Sequence, residues 1–197
     1  MNWLSYLPNT ITIGRIFAMI PLVWLMLEKN YEYAFYVALV SALSDLLDGF
    51  LAKTFGWESW LGGVLDPLAD KFMMLCCFMV FAVQNIIPNW LLILVLARDI
   101  VIITGATIYH FTIVKVEKAK PSLLSKFNTV LQLLLIVVLL SHYSVYQFEP
   151  MVITILIYLV TFFTVTSGIH YVYYWGRKAV VDNSKSKYRK HNDDTSP

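Results

Sequence analysis

The chain has 197 residues, of which 58% are hydrophobic and only 14% charged, and its mean hydropathy is +0.65. Soluble domains carry about 25% charged residues, so this composition excludes an ordinary soluble protein and indicates an integral membrane protein. The net charge is only +2, and no nucleic-acid partner is expected.

Six apolar windows follow one another along the chain, each near the length of about 20 residues that crosses a bilayer as a helix. Charged residues, Gly, Pro and Asn separate the windows and are typical of the breaks between helices. The windows cover residues 9–28, 32–53, 62–84, 89–110, 124–146 and 150–174. We therefore predict an all-α polytopic membrane protein with six transmembrane helices.

Two further features define the predicted organisation. The N-terminus lacks the basic region and small-residue cleavage site of a signal peptide, so the first helix is expected to be retained. Toward the C-terminus the sequence becomes polar, which is typical of disorder. We predict a membrane domain at residues 1–180 and a mostly disordered cytoplasmic tail at residues 181–197.

The distribution of basic residues predicts the orientation in the membrane. With six helices, both termini and the 2–3 and 4–5 connections share one side, which carries nearly all basic residues outside the helices, whereas the other side has only Lys29. Basic residues concentrate on the cytoplasmic side. Both termini and the 2–3 connection are therefore predicted to be cytoplasmic, in a bacterial inner membrane or its equivalent.

Four aspartates lie where the second helix ends and the third begins. Asp45 and Asp48 are three residues apart, and Asp66 and Asp70 are four apart, so each pair lies on one helix face. The short connection favours antiparallel neighbours that direct both pairs into one pocket. Carboxylates at membrane depth are costly unless cations lie among them, and Mg²⁺ and Mn²⁺ prefer oxygen ligands. We predict a site for two divalent ions, which suits phosphoryl transfer.

Small residues accompany the aspartates. Gly49 follows Asp48, and Gly62 lies one turn before Asp66, so a bulky ligand could approach the backbone at either glycine. For Gly49, close helix packing explains the residue equally well. Pro67 follows Asp66, which predicts either a helix start capped by Asp66 or a kink in the helix.

These residues resemble the signature of the CDP-alcohol phosphotransferases, D-x2-D-G-x2-A-R-x8-G-x3-D-x3-D. Seven of its eight fixed positions match, and the exception is Lys53, which stands where the family has arginine. Lysine keeps the charge but lacks the planar fork that binds phosphate at two points. The matching positions are Asp45, Asp48, Gly49, Ala52, Gly62, Asp66 and Asp70.

The resemblance implies a reaction, a set of residue roles and a homodimer. In this family two metal ions bind the diphosphate of a CDP-linked substrate, an acceptor hydroxyl attacks the phosphorus, and CMP leaves. It implies that all four aspartates are metal ligands and that Asp70 is also the general base. The residues implied to line the cytidine-diphosphate slot are Gly49, Ala52, Lys53 and Gly62.

Polar residues elsewhere in the helices are candidates for binding the acceptor or a lipid phosphate. The segment PNTITIGR, with Asn9 and Arg15, resembles the opening of the phosphatidylglycerophosphate synthases and of the CMP-releasing cardiolipin synthases. Arg15 and Lys126 could bind phosphate or instead extend toward the membrane surface. Arg98, next to Asp99, could bind phosphate or form a structural ion pair.

The later helices resemble the CMP-releasing cardiolipin synthases more than the phosphatidylglycerophosphate synthases. Both groups use CDP-diacylglycerol, and their acceptors are phosphatidylglycerol and glycerol 3-phosphate, respectively. We favour phosphatidylglycerol.

Two other classes of protein stay open on the residues alone: a cation transporter or channel, and an intramembrane prenyltransferase. Release of CMP from CDP-diacylglycerol would separate both from a phosphatidyltransferase.

Overall fold

The fold was obtained as a computed structural model, which describes the backbone of residues 7–55, 60–112 and 123–193. Side chains are described for residues 13–45, 47, 50, 54–55, 69–105 and 123–173. Within these ranges the regular structure is helical. The helices are α1 (Leu7–Leu27), α2 (Tyr31–Phe55), α3 (Trp60–Val83), α4 (Asn89–Thr112), α5 (Leu123–Ser144) and α6 (Pro150–Asp193).

The predicted all-α class is confirmed for the described residues, since each apolar window corresponds to one helix. Two of the connections contain a residue in the left-handed region, Lys29 with φ of 60° and Asn85 with φ of 58°. Such a residue ends a helix by turning the chain away from its axis. Both lie in the polar breaks that the sequence predicts.

The C-terminal segment differs from the expected disordered tail, because the backbone of α6 is helical as far as Asp193. Between Arg177 and Ser196 the chain has no Gly or Pro, the two residues that most strongly interrupt a helix. The polar composition therefore marks where the apolar part of α6 ends, and the helix itself continues.

Two helices of the described chain are long and apolar enough to cross a membrane, α5 at Leu123–Ser144 and the first part of α6 at Pro150–Tyr173. The other helices also expose large apolar side chains. On α1 these include Phe17, Ile20 and Trp24, which lie on one face at helical spacing. Contiguous exposed apolar surface of this kind indicates contact with lipid or with another protein.

The chain forms two compact units. The first comprises Met1–Leu92 and Gln132–Ile157, and in it α1 packs against both α2 and α3. The inward face of α1 carries Arg15, Met19 and Leu22, all of them buried. Their spacing of four and three residues is that of a single helix face, so Arg15 lies on the same face as the apolar core residues.

The second unit comprises Ile93–Leu131 and Tyr158–Pro197. Besides apolar residues, its buried positions include several polar side chains. These are Arg98, Ser125, Asn128, Thr164 and Ser167.

Candidate active site

Helix α2 presents Asp45 on its inward face. Ala34 and Ser41 are buried on that face, and Asp45 follows Ser41 by one turn. Its side chain is 39% exposed. The inward face of α2 is therefore apolar or weakly polar from Ala34 to Ser41 and becomes acidic at Asp45.

Helix α3 also presents an aspartate, Asp70, on its inward face. In α2 the aspartate follows the buried residues along the chain, whereas in α3 it precedes them. Met74, Cys77 and Phe81 are buried at spacings of three and four residues, and Asp70 lies one turn before Met74. The Asp70 side chain is 44% exposed. Asp70 thus lies on the same helix face as these core residues and precedes them along the chain.

Arg15 of α1 joins the two aspartates. Its Nη1 donates a hydrogen bond to Oδ1 of Asp45, and it donates a second to Oδ1 of Asp70 at 2.7 Å. Both contacts are ion pairs, and the Arg15 side chain is only 1% exposed. The structure therefore brings together two aspartates 25 positions apart in the sequence, because their oxygens meet at one cationic nitrogen.

The opposite ends of these helices are tied together by neutral hydrogen bonds. Gln84, just after α3, donates from Nε2 to the carbonyl oxygen of Met26 in α1 at 2.6 Å. Its Oε1 accepts a hydrogen bond from the hydroxyl of Tyr31 at the start of α2. One amide thus connects three helices, which fixes the positions of α1, α2 and α3 far from the acidic residues.

Several predicted site residues lie outside the described side chains. Helix α3 begins at Trp60, so Pro67 is inside the helix and Asp66 is not its N-cap. Of the two sequence alternatives, the helix start at Pro67 is thereby excluded. The residues whose side chains lie outside the described ranges are Asn9, Asp48, Gly49, Ala52, Lys53, Gly62 and Asp66.

The two described aspartates fit a divalent cation by their chemistry. Each directs a carboxylate oxygen to the same positively charged atom, and carboxylate oxygen is the donor that Mg²⁺ and Mn²⁺ prefer. Within the side chains that the structure describes, no group of three or more His, Cys, Asp or Glu residues could hold a metal. Asp48 and Asp66, the other two residues of the predicted ligand set, are not among those side chains.

Arg98 lies in a separate polar network in the second unit. Its Nη1 donates to Oδ1 of Asp99 at 2.5 Å, and its Nη2 donates to Oγ of Ser125 and, at 3.3 Å, to Oγ of Ser167. The network links α4, α5 and α6. Of the two interpretations open for Arg98, this geometry supports the structural ion pair, and the phosphate contact stays a prediction.

Residues near the start of α5 point in different directions. Lys126 is exposed, whereas Asn128 is fully buried and its Oδ1 accepts a hydrogen bond from Oγ1 of Thr164 at 3.1 Å. Nδ2 of Asn128 has no hydrogen-bond partner among the described residues. Lys126 is therefore a cation of this segment that a ligand could reach from the surface of the unit.

The sequence predicts either a phosphate contact or extension toward the membrane surface for Arg15, and it does not predict the pairing with aspartates. The usable signal was its position one turn before Met19 on the apolar face of α1, because an arginine facing inward requires a buried or half-buried acid. Ser125 and Ser167 were also missed, and nothing in the spacing of single serines identifies them as partners of an arginine.

The fold and the site together define a class of protein: a helical chain with lipid-compatible outer faces and a carboxylate pair beside a buried arginine. The chain belongs to the CDP-alcohol phosphatidyltransferase family, whose sequence profile matches residues 5–166. The matched range spans the positions of all four signature aspartates and of Arg15.

The relatives compared below carry two different names, cardiolipin synthase and CDP-diacylglycerol–glycerol-3-phosphate 3-phosphatidyltransferase. The chain is 29% identical to the CMP-forming cardiolipin synthase of Rattus norvegicus over 88% of its own length and 62% of that protein. It is 32% identical to the chloroplastic CDP-diacylglycerol–glycerol-3-phosphate 3-phosphatidyltransferase 1 of Oryza sativa subsp. japonica, over 84% of this chain and 55% of that protein. The bacterial enzyme with the latter activity from Rickettsia bellii is 30% identical over 84% of this chain and 92% of that protein.

Proposed function

We propose that this protein transfers a phosphatidyl group from CDP-diacylglycerol to the hydroxyl of a glycerol-based acceptor, with release of CMP. The observation that carries the proposal is the meeting of Asp45 and Asp70 at one cationic atom. Both occupy aspartate positions of the signature, on two different helices. Family membership supports the same chemistry.

In the proposed mechanism Asp45, Asp48, Asp66 and Asp70 would hold two Mg²⁺ or Mn²⁺ ions. The ions, when bound, neutralise the diphosphate and stabilise the charge that develops on the departing CMP. The carboxylate of Asp70 accepts the proton of the acceptor hydroxyl. Its 44% exposure leaves room for that hydroxyl to approach. The acceptor oxygen then bonds to the phosphorus that carries diacylglycerol, while the bond from that phosphorus to the oxygen of CMP breaks.

The remaining site residues would hold the substrates. Gly49, Ala52, Lys53 and Gly62 would line the cytidine-diphosphate slot. The residues proposed to contact the acceptor or lipid phosphate are Asn9, Arg15, Arg98 and Lys126.

For the acceptor we favour phosphatidylglycerol, which makes the product cardiolipin. The similarity of helices α4 to α6 to the CMP-releasing cardiolipin synthases supports this choice. The second candidate is glycerol 3-phosphate, with phosphatidylglycerophosphate as product, and relatives of that name support it. Both reactions share the same donor and the same leaving group.

We further propose that all six helices cross the membrane, with the site and both termini on the cytoplasmic side. The exposed apolar faces of the described helices and the one-sided distribution of basic residues support this arrangement. A homodimer, usual in the family, belongs to the proposal as well.

The test uses the purified full chain with CDP-diacylglycerol and Mg²⁺ or Mn²⁺. Phosphatidylglycerol and glycerol 3-phosphate are supplied separately, and CMP and the lipid product are measured. We expect CMP together with cardiolipin from phosphatidylglycerol, and Asp70→Asn is the matched inactive control. Phosphatidylglycerophosphate without cardiolipin would select the second acceptor, and no CMP with either acceptor would overturn the proposed reaction.

A further inference from the structure

Arg15 combines deep burial with contact to two acids that remain partly accessible. Its side chain is 1% exposed, whereas those of Asp45 and Asp70 are 39% and 44% exposed. The arginine therefore approaches the carboxylates from the protein interior, and both acids keep part of their surface accessible. This is not the geometry of an arginine that extends toward the membrane surface.

The contacts also have an electrostatic consequence. Two carboxylates that meet in a partly buried site repel each other, and a cation between them removes most of that repulsion. Nη1 of Arg15 provides such a cation from within the chain. The oxygens that accept its hydrogen bonds are oxygens that a divalent ion would also use, so the guanidinium and the ion draw on the same negative charge.

We propose that Arg15 is a positioning residue that acts as the internal counter-cation of the acidic site. It neutralises Asp45 and Asp70 when no divalent ion is bound, and it competes with the ion for their oxygens. The inference rests on the proposed function, because it assumes that these aspartates are metal ligands. Arg15 thereby keeps the metal-free site folded and at the same time weakens its affinity for the metal.

This role predicts a combination of effects that other roles do not. If Arg15 only packed the helices together, its loss would destabilise the metal-free and metal-bound protein alike and would loosen the metal site. If it only bound substrate phosphate, its loss would raise KM without changing metal affinity. For an internal counter-cation, the metal-free protein loses stability while the affinity for the metal rises.

The experiment measures Mn²⁺ binding without substrate, on the purified full chain in detergent. Thermal unfolding is recorded in chelator and across a Mn²⁺ titration, and free Mn²⁺ is counted by electron paramagnetic resonance. For Arg15→Met we expect a lower Tm in chelator and a half-saturating Mn²⁺ concentration reduced by about tenfold, since charge-assisted bonds to carboxylates are the stronger class of hydrogen bond. Arg15→Lys keeps the charge and should fall between this variant and the unmodified protein.

Arg98→Met is the matched control, because Arg98 is the other buried arginine among the described residues and also pairs with an aspartate. It should lower Tm equally with and without Mn²⁺ and leave the half-saturating concentration unchanged. Where Arg15→Met does not yield folded protein, Arg15→Lys and the control carry the comparison.

The outcomes separate this inference from the function on which it rests. Unmodified protein that shows no Mn²⁺ binding would overturn the metal site and the inference together. Mn²⁺ binding by the unmodified protein, with unchanged or weaker binding by the Arg15 variants, would overturn the role of Arg15 alone. If Arg98→Met also bound Mn²⁺ more tightly, the effect would not be specific to the acidic site. That result would likewise overturn the role of Arg15.

Discussion

The two buried arginines of the described chain solve the same physical problem with different partners. A guanidinium removed from water needs an acid and further acceptors close by. Arg98 takes its acid from the adjacent position, Asp99, and completes its contacts with serine hydroxyls. Arg15 takes acids from two other helices, so its position depends on how α1, α2 and α3 are arranged.

At the residue scale, replacing Asp45 or Asp70 with Asn should reduce CMP release by orders of magnitude. The amide keeps an oxygen that accepts a hydrogen bond from Arg15, but it loses the charge that would bind a divalent ion and, at Asp70, the ability to accept a proton. The variants are expected to insert and fold. Activity is measured as CMP released from CDP-diacylglycerol, and folding as the thermal unfolding of the purified protein.

Ser44→Ala is a suitable control, because its hydroxyl donates to the carbonyl oxygen of Val40 within α2. It should keep full turnover. Full turnover in Asp45→Asn or Asp70→Asn, or in unmodified protein treated with chelator, would contradict the assignment of these aspartates.

At the element scale, composition predicts where the helices lie along the chain. It does not predict how far the last helix continues. Apolar windows of about 20 residues predict helices because a chain in lipid must satisfy its backbone hydrogen bonds internally, and the described parts of the chain form six helices. The polar segment after residue 180 was expected to be disordered, yet α6 continues to Asp193. Hydropathy reports where a helix can contact lipid and carries little information on where its backbone hydrogen bonding stops.

The turn between α1 and α2 offers a prediction about stability. Lys29 has φ of 60°, and a residue with a Cβ is strained there by about 1–2 kcal/mol relative to glycine. Lys29→Gly should therefore raise the free energy of unfolding by about 1 kcal/mol once the greater freedom of glycine in the unfolded chain is subtracted. The change is read as a higher midpoint in thermal or denaturant unfolding of the purified protein.

Glu28→Gly provides the comparison for this turn. Its backbone nitrogen donates to the carbonyl oxygen of Trp24 at 3.0 Å, and its φ is not positive, so glycine relieves no strain at that position. This variant should be less stable than the unmodified protein. A loss of stability in Lys29→Gly as large as that in Glu28→Gly would contradict the strain attributed to Lys29.

At the scale of the whole molecule, the sequence predicts that Asp45 and Asp70 come together but does not predict the residue that joins them. The spacing of Asp45 and Asp70 within their signature predicted that they face a common ligand, because helix periodicity fixes which residues share a face. The pairing of both with Arg15 depends on the packing of α1 against α2 and α3. No local pattern encodes that packing, since any inward-facing arginine has the same spacing relative to its own helix.

The orientation of the molecule in the membrane gives the last prediction, argued from charge. Basic residues outside the six predicted spans concentrate on one side, and this asymmetry predicts that residue 59 lies in the cytoplasm and Gln147 outside. Single cysteines at Ser59 and Gln147 are introduced after Cys76 and Cys77 have been replaced with alanine. In intact cells a membrane-impermeant maleimide should label residue 147 only, and residue 59 should react once the membrane is permeabilised. Labelling in the reverse order would place the aspartates away from the cytosolic pool of nucleotides, which is incompatible with CMP release into the cytoplasm.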